Sequence, residues 1–485
     1  MTSPSLSGRP LGAFERAMLR TQRHSPFDVV LVLRFARGPS GEAVERALAA
    51  LQARHALLRW RIGGPRRAPA FVEGAPAVPL ERVERQGADG WRALAERQLA
   101  HRFDLESGPF CHALLAGPDA DGHAELVLTL PHFAVDGSSG APLLEELLAA
   151  AEGAEDGGEV SGGAGDAGVP DATGHACRVD LAGDLPHLED RFPARFRGFG
   201  GRLRVLRGLA RELAGEARYA FGARGLPPLR VARTGGSRIA TFELEAPETA
   251  ALLAGLRRRR LTLNAALVGA WSAAFAAARY GARGGPVRVF TMASLRRLVS
   301  PPVAEGALGS GWAMTRVTLP VPQALARPGD ESAAAAATTA VFTEEVRDAL
   351  RAGFERGDPF VSFLTAESMM GLVLGPVKKR MGELAVSYTG VAKVGPAHGA
   401  LRLDGFEVFV STMDIGPALI AQHRIWRGQL FGGLVYHEQD LDAPAVAALA
   451  EDVRLRLATL AAPRPEPAPP TRPRPVASNP VGGTA

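Results

Sequence analysis

The residues best suited to chemistry lie in one stretch, Leu126-Val127-Leu128-Thr129-Leu130-Pro131-His132-Phe133-Ala134-Val135-Asp136-Gly137. A neutral imidazole is the usual side chain for taking a proton near neutral pH, which makes His132 a candidate general base. The apolar run before it reads as a strand and offers a rigid platform. Pro131 ends that strand, and Gly137 closes the following turn, where a glycine can take positive φ. A side chain just past a strand end is where function often sits. Asp136, four residues on, could hold the turn or orient the ring. Taken alone, HxxxD recurs by accident, and the bland reading is a satisfied histidine beside an Asp-Gly turn.

Other chemistries find little support. Gly137-Ser138-Ser139-Gly140 is one residue short of GxSxG. His437-Glu438 lacks a second histidine four residues on, and neither GxGxxG nor GxxxxGK[ST] occurs. Cys111 and Cys177 sit in no CxxC or Cys/His constellation, so neither a metal site nor a disulfide framework is expected. That usage suits a reducing cytoplasm. Lys and Arg total 56 against 51 Asp and Glu, a net charge of +5, mild for 485 residues and without interleaved aromatics, so nucleic acid is not an expected partner. The densest basic run, Arg257 to Arg260, ends an Ala/Leu-rich segment and reads as a solvated helix end. The first twenty residues carry charges at Arg9, Glu15, Arg16 and Arg20 and do not read as a signal peptide. No run of about eighteen uncharged apolar residues occurs, so no integral membrane segment is expected.

The elements around the histidine mix strands and helices. Asp28 to Phe35 is β-branched and apolar and reads as a strand. Ser40 could cap a helix from Glu42 to His55, where Val44, Leu48, Leu51 and His55 recur at helical spacing. Trp91 to Arg102 and Ala141 to Ala151 read as helices. Phe110 to Leu115 and Ala124 to Leu130 read as strands. Arg191 to Arg224 reads as a helical bridge. Beyond it, strands are expected at Arg238 to Leu244, Val287 to Met292, Ala385 to Tyr388, Phe406 to Ser411, Ala418 to Ile425 and Gln429 to Tyr436. Helices are expected at Pro247 to Arg259, Thr262 to Arg279 and Pro444 to Leu460. Without strict β-α alternation, this argues for an α+β fold of mixed layers. The expected division is a first subdomain at 1–183 with a flexible insertion at about 152–173, a helical connection at 184–235, a second subdomain at 236–462, and a disordered Pro-rich tail at 463–485. The insertion and tail are too poor in large apolar residues to offset ordering entropy.

In this order and spacing, several segments resemble the condensation-domain superfamily. Its fold is like that of chloramphenicol acetyltransferase, and it includes peptide-synthetase condensation domains, polyketide-associated acyltransferases, wax ester synthases and plant-type BAHD acyltransferases. The hallmark HHxxxDG is here Pro131-His132-Phe133-Ala134-Val135-Asp136-Gly137. Pro10 to Glu15 is similar to the family's opening segment, and His55-Ala56-Leu57-Leu58-Arg59 to the end of its first helix. Thr262 to Leu267, Ser294-Leu295-Arg296 with Leu308-Gly309, and Ser387-Tyr388-Thr389-Gly390 resemble later motifs. Two departures stand out. Pro131 replaces the first histidine, which favours a free-standing ester- or amide-forming member, and no DFGWG motif is present.

The resemblance implies two chloramphenicol acetyltransferase-like mixed-sheet subdomains with a tunnel between them and His132 midway along it. It implies transfer from acyl-CoA or an acyl carrier protein to a small-molecule alcohol or amine, with the thioester as substrate and no cofactor. His132 would be the base, and backbone N–H at Gly137 would serve the oxyanion. Asp136 would be structural, paired in bidentate fashion with Arg296. Ser138, Ser387 and Thr412 are expected to touch substrate. A cytoplasmic monomer in natural-product or lipid biosynthesis is expected. The rival reading is a catalytically inactive docking or recruitment module on a biosynthetic assembly line.

Overall fold

The computed structural model describes residues 8–155, 187–222, 236–304, 306–325, 333–374 and 380–462. The insertion expected at 152–173 lies outside these from residue 156 onward, as does the tail 463–485. Residues 152–155 are the end of a helix. In chain order the first half holds β1 (Gly8–Pro10), α1 (Ala13–His24), β2 (Asp28–Arg37), α2 (Gly41–Arg54), α3 (Ala56–Arg59), β3 (Trp60–Gly63), β4 (Ala70–Glu73), β5 (Leu80–Val83), α4 (Gly90–Leu99), β6 (His112–Ala116), β7 (Ala124–Pro131) and α5 (Gly140–Glu155). Helix α6 (Gly198–Gly222) follows. The second half holds β8 (Ser237–Leu244), α7 (Ala246–Arg259), α8 (Leu263–Tyr280), β9 (Gly285–Ser294), β10 (Trp312–Val321), α9 (Ala333–Arg356), α10 (Asp358–Leu372), β11 (Leu384–Val391), β12 (Ala397–His398), β13 (Leu401–Val410), β14 (Leu419–Trp426), β15 (Gln429–His437) and α11 (Ala443–Ala461).

Helix starts follow capping chemistry. Ser40 Oγ accepts from Ala43 N at 3.2 Å, Thr262 Oγ1 from Ala265 N at 3.2 Å, and Asp442 Oδ1 from Ala445 N at 2.8 Å. His55 is the residue after α2 rather than its last turn, and its Nε2 meets Glu146 of α5 at 2.8 Å. Three segments between Trp312 and Leu372 went unassigned from sequence. They are β10, which alternates buried and half-exposed residues, and the helices α9 and α10.

Two mixed six-stranded sheets carry the fold, in the orders β12-β13-β2-β7-β6-β5 and β10-β9-β11-β14-β15-β8. β11 runs parallel to both β9 and β14, and β5 parallel to β6; the remaining pairs are antiparallel. A small sheet, β1-β4-β3, packs beside the first. The sequence divides linearly at the helical connection, but space does not. β13, within residues 236–462, pairs with β2 from Arg402↔Arg37 to Val410↔Val29 and so lies in the first sheet. In the second core, α8 is buried on nearly every side. No single described helix is long and apolar enough to cross a membrane.

One charge pair pins the sheets where β13 faces β14. Arg424 donates from Nη2 to Glu407 Oε2 at 2.8 Å, with both side chains at most 2% exposed. The guanidinium lies over Phe406 and Phe431, 4.7 and 5.3 Å from the ring centres. Among the described residues, removing Arg424 leaves buried Glu407 with only the longer 3.6 Å contact to Arg34. Arg424→Ala is therefore expected to lower unfolding free energy in urea by about 3–5 kcal/mol. The double replacement Arg424→Leu/Glu407→Leu should recover part of that loss. Additive losses would show that the pair does not act as a unit.

Candidate active site

His132 follows Pro131, the last residue of β7. β2 sets its height: Asp28 lies opposite Pro131, and the His132 amide donates to the Phe27 carbonyl at 2.9 Å. The imidazole stacks on Trp312 of β10, centroids 4.7 Å apart and planes at 26°, and Phe27 lies beside both rings, 4.9 Å from the imidazole and tilted by 47°. Its Nδ1 lies 2.9 Å from the Val135 carbonyl oxygen. A carbonyl only accepts, so Nδ1 carries the proton and Nε2 holds the lone pair. Among the described residues Nε2 has no hydrogen-bond partner. Burial penalises the imidazolium and holds the ring below its ordinary pKa of 6.5, against the smaller pull of the Val135 carbonyl and the Asp136 charge. A neutral, single-tautomer imidazole with a free Nε2 is poised to accept a proton.

Asp136 does not orient the ring; Val135 does. The buried Asp136 carboxylate accepts five hydrogen bonds. Oδ1 takes Ser138 N at 2.9 Å, Ser139 N at 3.0 Å and Ser139 Oγ at 3.1 Å. Oδ2 takes Arg296 Nε and Gly311 N, both at 2.9 Å. The expected Asp136–Arg296 contact exists, but it is not bidentate. Nη1 and Nη2 of Arg296 go to the carbonyls of Ala304 at 2.8 Å and Gly309 at 3.0 Å, and Gly311 takes the remaining place on Oδ2. The Asp136 carbonyl also accepts from Gly140 N at 3.1 Å, which ties the loop to the first residue of α5. Ser310 Oγ donates to the carbonyls of His132 and Phe133 at 3.3 and 3.1 Å.

Gly137 does not take positive φ, contrary to the expectation from its turn position. Its constraint is space: a Cβ there would lie 2.7 Å from Thr389 Cγ2, on β11. The residue is exposed, and its N–H has no partner among the described residues. With α5 starting at Gly140, this amide lies at the positive end of a helix dipole. Beside it, Ser138 Oγ lies 3.3 Å from Ser294 Oγ at the end of β9.

Residues 235–423 match the family described as phthiocerol/phthiodiolone dimycocerosyl transferase C-terminus. Over nearly its whole length the chain superposes on the trichothecene 15-O-acetyltransferase of Fusarium sporotrichioides, with a TM-score of 0.71, 12% identity, and 93% of this chain and 95% of that one covered. It also superposes on the first condensation domain of the calcium-dependent antibiotic synthetase in complex with a substrate analogue, with a TM-score of 0.64, 17% identity, and 93% and 97% covered. The chain has the fold of these two proteins. A curated relative, chondramide synthase cmdD of Chondromyces crocatus, is 29% identical over 150 residues, 29% of this chain; the match spans only 4% of that protein's length. An O-acetyltransferase and a condensation domain share this architecture, so the reaction has to be argued from the site.

The structure brings together His132, Asp136, Gly137, Ser138 and Arg296. Ser387 lies on β11 with its carbonyl accepting from His423 Nδ1 at 3.2 Å, and makes no hydrogen bond to the His132 loop among the described residues. Thr389, two residues on, is the β11 residue that reaches that loop. Thr412 is corrected as a substrate contact: it is fully buried, its hydroxyl paired with His437 Nε2 and Ser237 Oγ. Trp312 and Ser310 were not singled out from sequence, although they closely follow Leu308-Gly309. Ser294 and Thr389 were read only as members of the motifs Ser294-Leu295-Arg296 and Ser387-Tyr388-Thr389-Gly390. Asp119, Asp121 and His123 cluster as metal ligands would, on a loop away from His132. Asp119 there accepts from Asp121 N and His123 N at 3.1 and 2.9 Å and pairs with Arg85, which turn geometry alone accounts for.

Two outcomes follow from this packing. Asp136→Ala would leave buried Arg296 without its carboxylate and free four further donor bonds; an unfolding loss of about 3–5 kcal/mol is expected, read by urea titration. Gly137→Ala should slow turnover through the clash with Thr389 Cγ2. Thr389→Ser removes that methyl, so the double variant Gly137→Ala/Thr389→Ser should regain rate; no recovery would mean that the lost space is not what matters.

Proposed function

We propose that this chain transfers an acyl group from a thioester, on coenzyme A or a carrier-protein phosphopantetheine arm, to an alcohol or amine, in natural-product or lipid biosynthesis. The observation that carries this reading is the Nδ1–Val135 hydrogen bond, which leaves a neutral Nε2 lone pair open. The similarity of the second half to a dimycocerosyl transferase, and of the whole chain to an O-acetyltransferase and a condensation domain, supports it.

In the proposed step, the acceptor's oxygen or nitrogen attacks the thioester carbonyl while Nε2 takes its proton. The carbonyl electrons move to oxygen, and the Gly137 N–H, at the positive end of α5, stabilises that charge. As the oxyanion collapses, the C–S bond breaks and the imidazolium returns the proton to the departing thiolate. Donor, acceptor and His132 account for every proton and electron pair, so the step calls for no metal or redox cofactor. Trp312 stacks on one face of the ring and Phe27 packs beside it, which holds the ring plane while substrates meet Nε2. We take a tunnel between the two sheets, open to donor and acceptor on either side of His132, as the route to that edge. A monomer suffices, because one chain supplies both halves of the site.

The same two aromatic rings favour the rival reading, a recruitment module whose histidine no longer meets substrate. Thiol release from acyl-CoA and acyl-carrier thioesters, measured with a panel of alcohols and amines, separates the two. His132→Ala should lower the rate by about 10²–10⁴-fold with an unchanged melting temperature. Equal rates in wild type and variant would remove the histidine from the mechanism, and no acceptor-dependent release in wild type would favour recruitment. The pH profile has a fixed sign. The neutral ring is the active form and burial lowers its pKa, so log kcat/KM should hold its plateau down to a midpoint below 6.5. A midpoint above that value would contradict a buried imidazole base.

A further inference from the structure

Helix α6 turns both its acids toward the protein and most of its large apolar residues outward. Toward the protein it presents Gly201, Val205, Gly208, Leu209, Glu212, Glu216 and Tyr219, of which only the two glycines are fully buried. The glycines permit close approach: a Cβ at Gly208 would lie 2.6 Å from Val361 of α10. Glu216 pairs with Arg288 at 2.9 Å and with Arg316, Glu212 lies 3.6 Å from Arg316, and the Tyr219 hydroxyl donates to Glu383. On the opposite side Phe199, Leu203, Leu206, Leu213 and Phe221 are 85%, 41%, 61%, 50% and 68% exposed. With Ala210 and Ala217 they recur every three or four residues and so form one stripe, about 33 Å long at 1.5 Å per residue. Arg204, Arg207, Arg211 and Arg218 follow one flank of the stripe and Arg202 the other. Both acids of the helix are turned inward.

Scattered exposed apolar residues need no explanation, but a continuous row of large ones does. Beside the stripe, Phe196, Arg202, Val205, Leu206 and Leu364 line an open cavity of about 430 Å³, a size that takes small ligands, with apolar walls and one cation. A second copy of this chain fits poorly here: neither flank carries an acid, so two stripes meeting would oppose arginine to arginine. A folded acidic protein would need a groove matched to one convex helix with a phenylalanine projecting at each end. A bilayer needs no such match. Phenylalanine and leucine enter the boundary between headgroup and acyl chain, and arginine stems run along it while their heads stay with phosphate.

We propose that α6 is a docking face for an anionic lipid surface, with the apolar stripe inserted, the flanking arginines on lipid phosphates, and the cavity beside Leu206 receiving an acyl chain. The inference does not depend on the acyl-transfer reading, and its test reads no activity. The full chain is floated with phosphatidylcholine vesicles, with and without about 30 mol% phosphatidylglycerol, and bound protein is measured against salt. Binding to the anionic vesicles should exceed that to phosphatidylcholine by about tenfold and weaken as salt rises. Leu206→Glu/Leu213→Glu should lower it by about tenfold, and Arg204→Ser/Arg207→Ser/Arg218→Ser should flatten its salt dependence. Circular dichroism melting checks folding, with Leu206→Ser/Leu213→Ser as the milder pair. Equal weak binding to both vesicles would overturn the proposal. So would a wild-type dimer that Leu206→Glu/Leu213→Glu makes monomeric, because the stripe would then be a contact between copies. Retention on an acidic protein column without vesicle binding would assign the face to a protein instead.

Discussion

The Asp136 carboxylate is the point at which both halves of the molecule are tied to one loop. Its Oδ1 holds Ser138 and Ser139 at the start of α5, and its Oδ2 holds Arg296 and Gly311 from the second half. A buried carboxylate is tolerable only with its lone pairs engaged, and here five donors engage them. Those donors come from both ends of the site, so satisfying one charge also sets the position of the turn relative to β9 and β10. His132 and Gly137 flank this turn. Their geometry is inherited from a group that makes no hydrogen bond to the imidazole.

The same economy governs the sheets. β13 belongs to the second half by sequence and completes the first sheet through β2, while the Arg424–Glu407 pair binds it to β14 in the second. Trp312 crosses in the same sense to stack on His132, and Thr389 to occupy the space beside Gly137. Neither half could build the site alone, because each closes a side that the other leaves open. Two halves held by a strand, a charge pair and a shared loop resist small shifts of His132 relative to Gly137. The acyl transfer proposed above would depend on that resistance.

Much of this was legible from sequence where local chemistry decides the outcome. Ser40 and Thr262 cap the helices they precede, and the apolar run before His132 forms β7. Motif position alone brought Arg296 to Asp136. That the contact is not bidentate was not legible, because backbone carbonyls such as those of Ala304 and Gly309, which divert the guanidinium, carry no mark in the sequence. Gly137 was identified for the wrong reason. Sequence suggests glycine for its φ, whereas the structure uses it for a missing Cβ against a threonine about 250 residues away, a distance that no local pattern encodes. Thr412 illustrates the reverse case: the resemblance pointed it at substrate, but its hydroxyl is paired with His437 and Ser237.

Helices α6 and α8 show why periodicity cannot reveal which way a face points. Both were readable as helices, and a stripe of leucine and phenylalanine ordinarily marks the buried side. α8 follows that rule because it is apolar on all sides and lies in the second core. In α6 the side is decided by partners: Arg288 on β9 and Arg316 on β10 draw Glu212 and Glu216 inward, and Gly208 admits Val361 of α10. β10 and α10 were among the elements not read from sequence, so the charges that turn the helix over could not be placed. Once they are placed, the inward side can be read: Glu212 and Glu216 meet two arginines at a partly buried seam, and Leu203, Leu206 and Leu213 are left facing whatever lies outside.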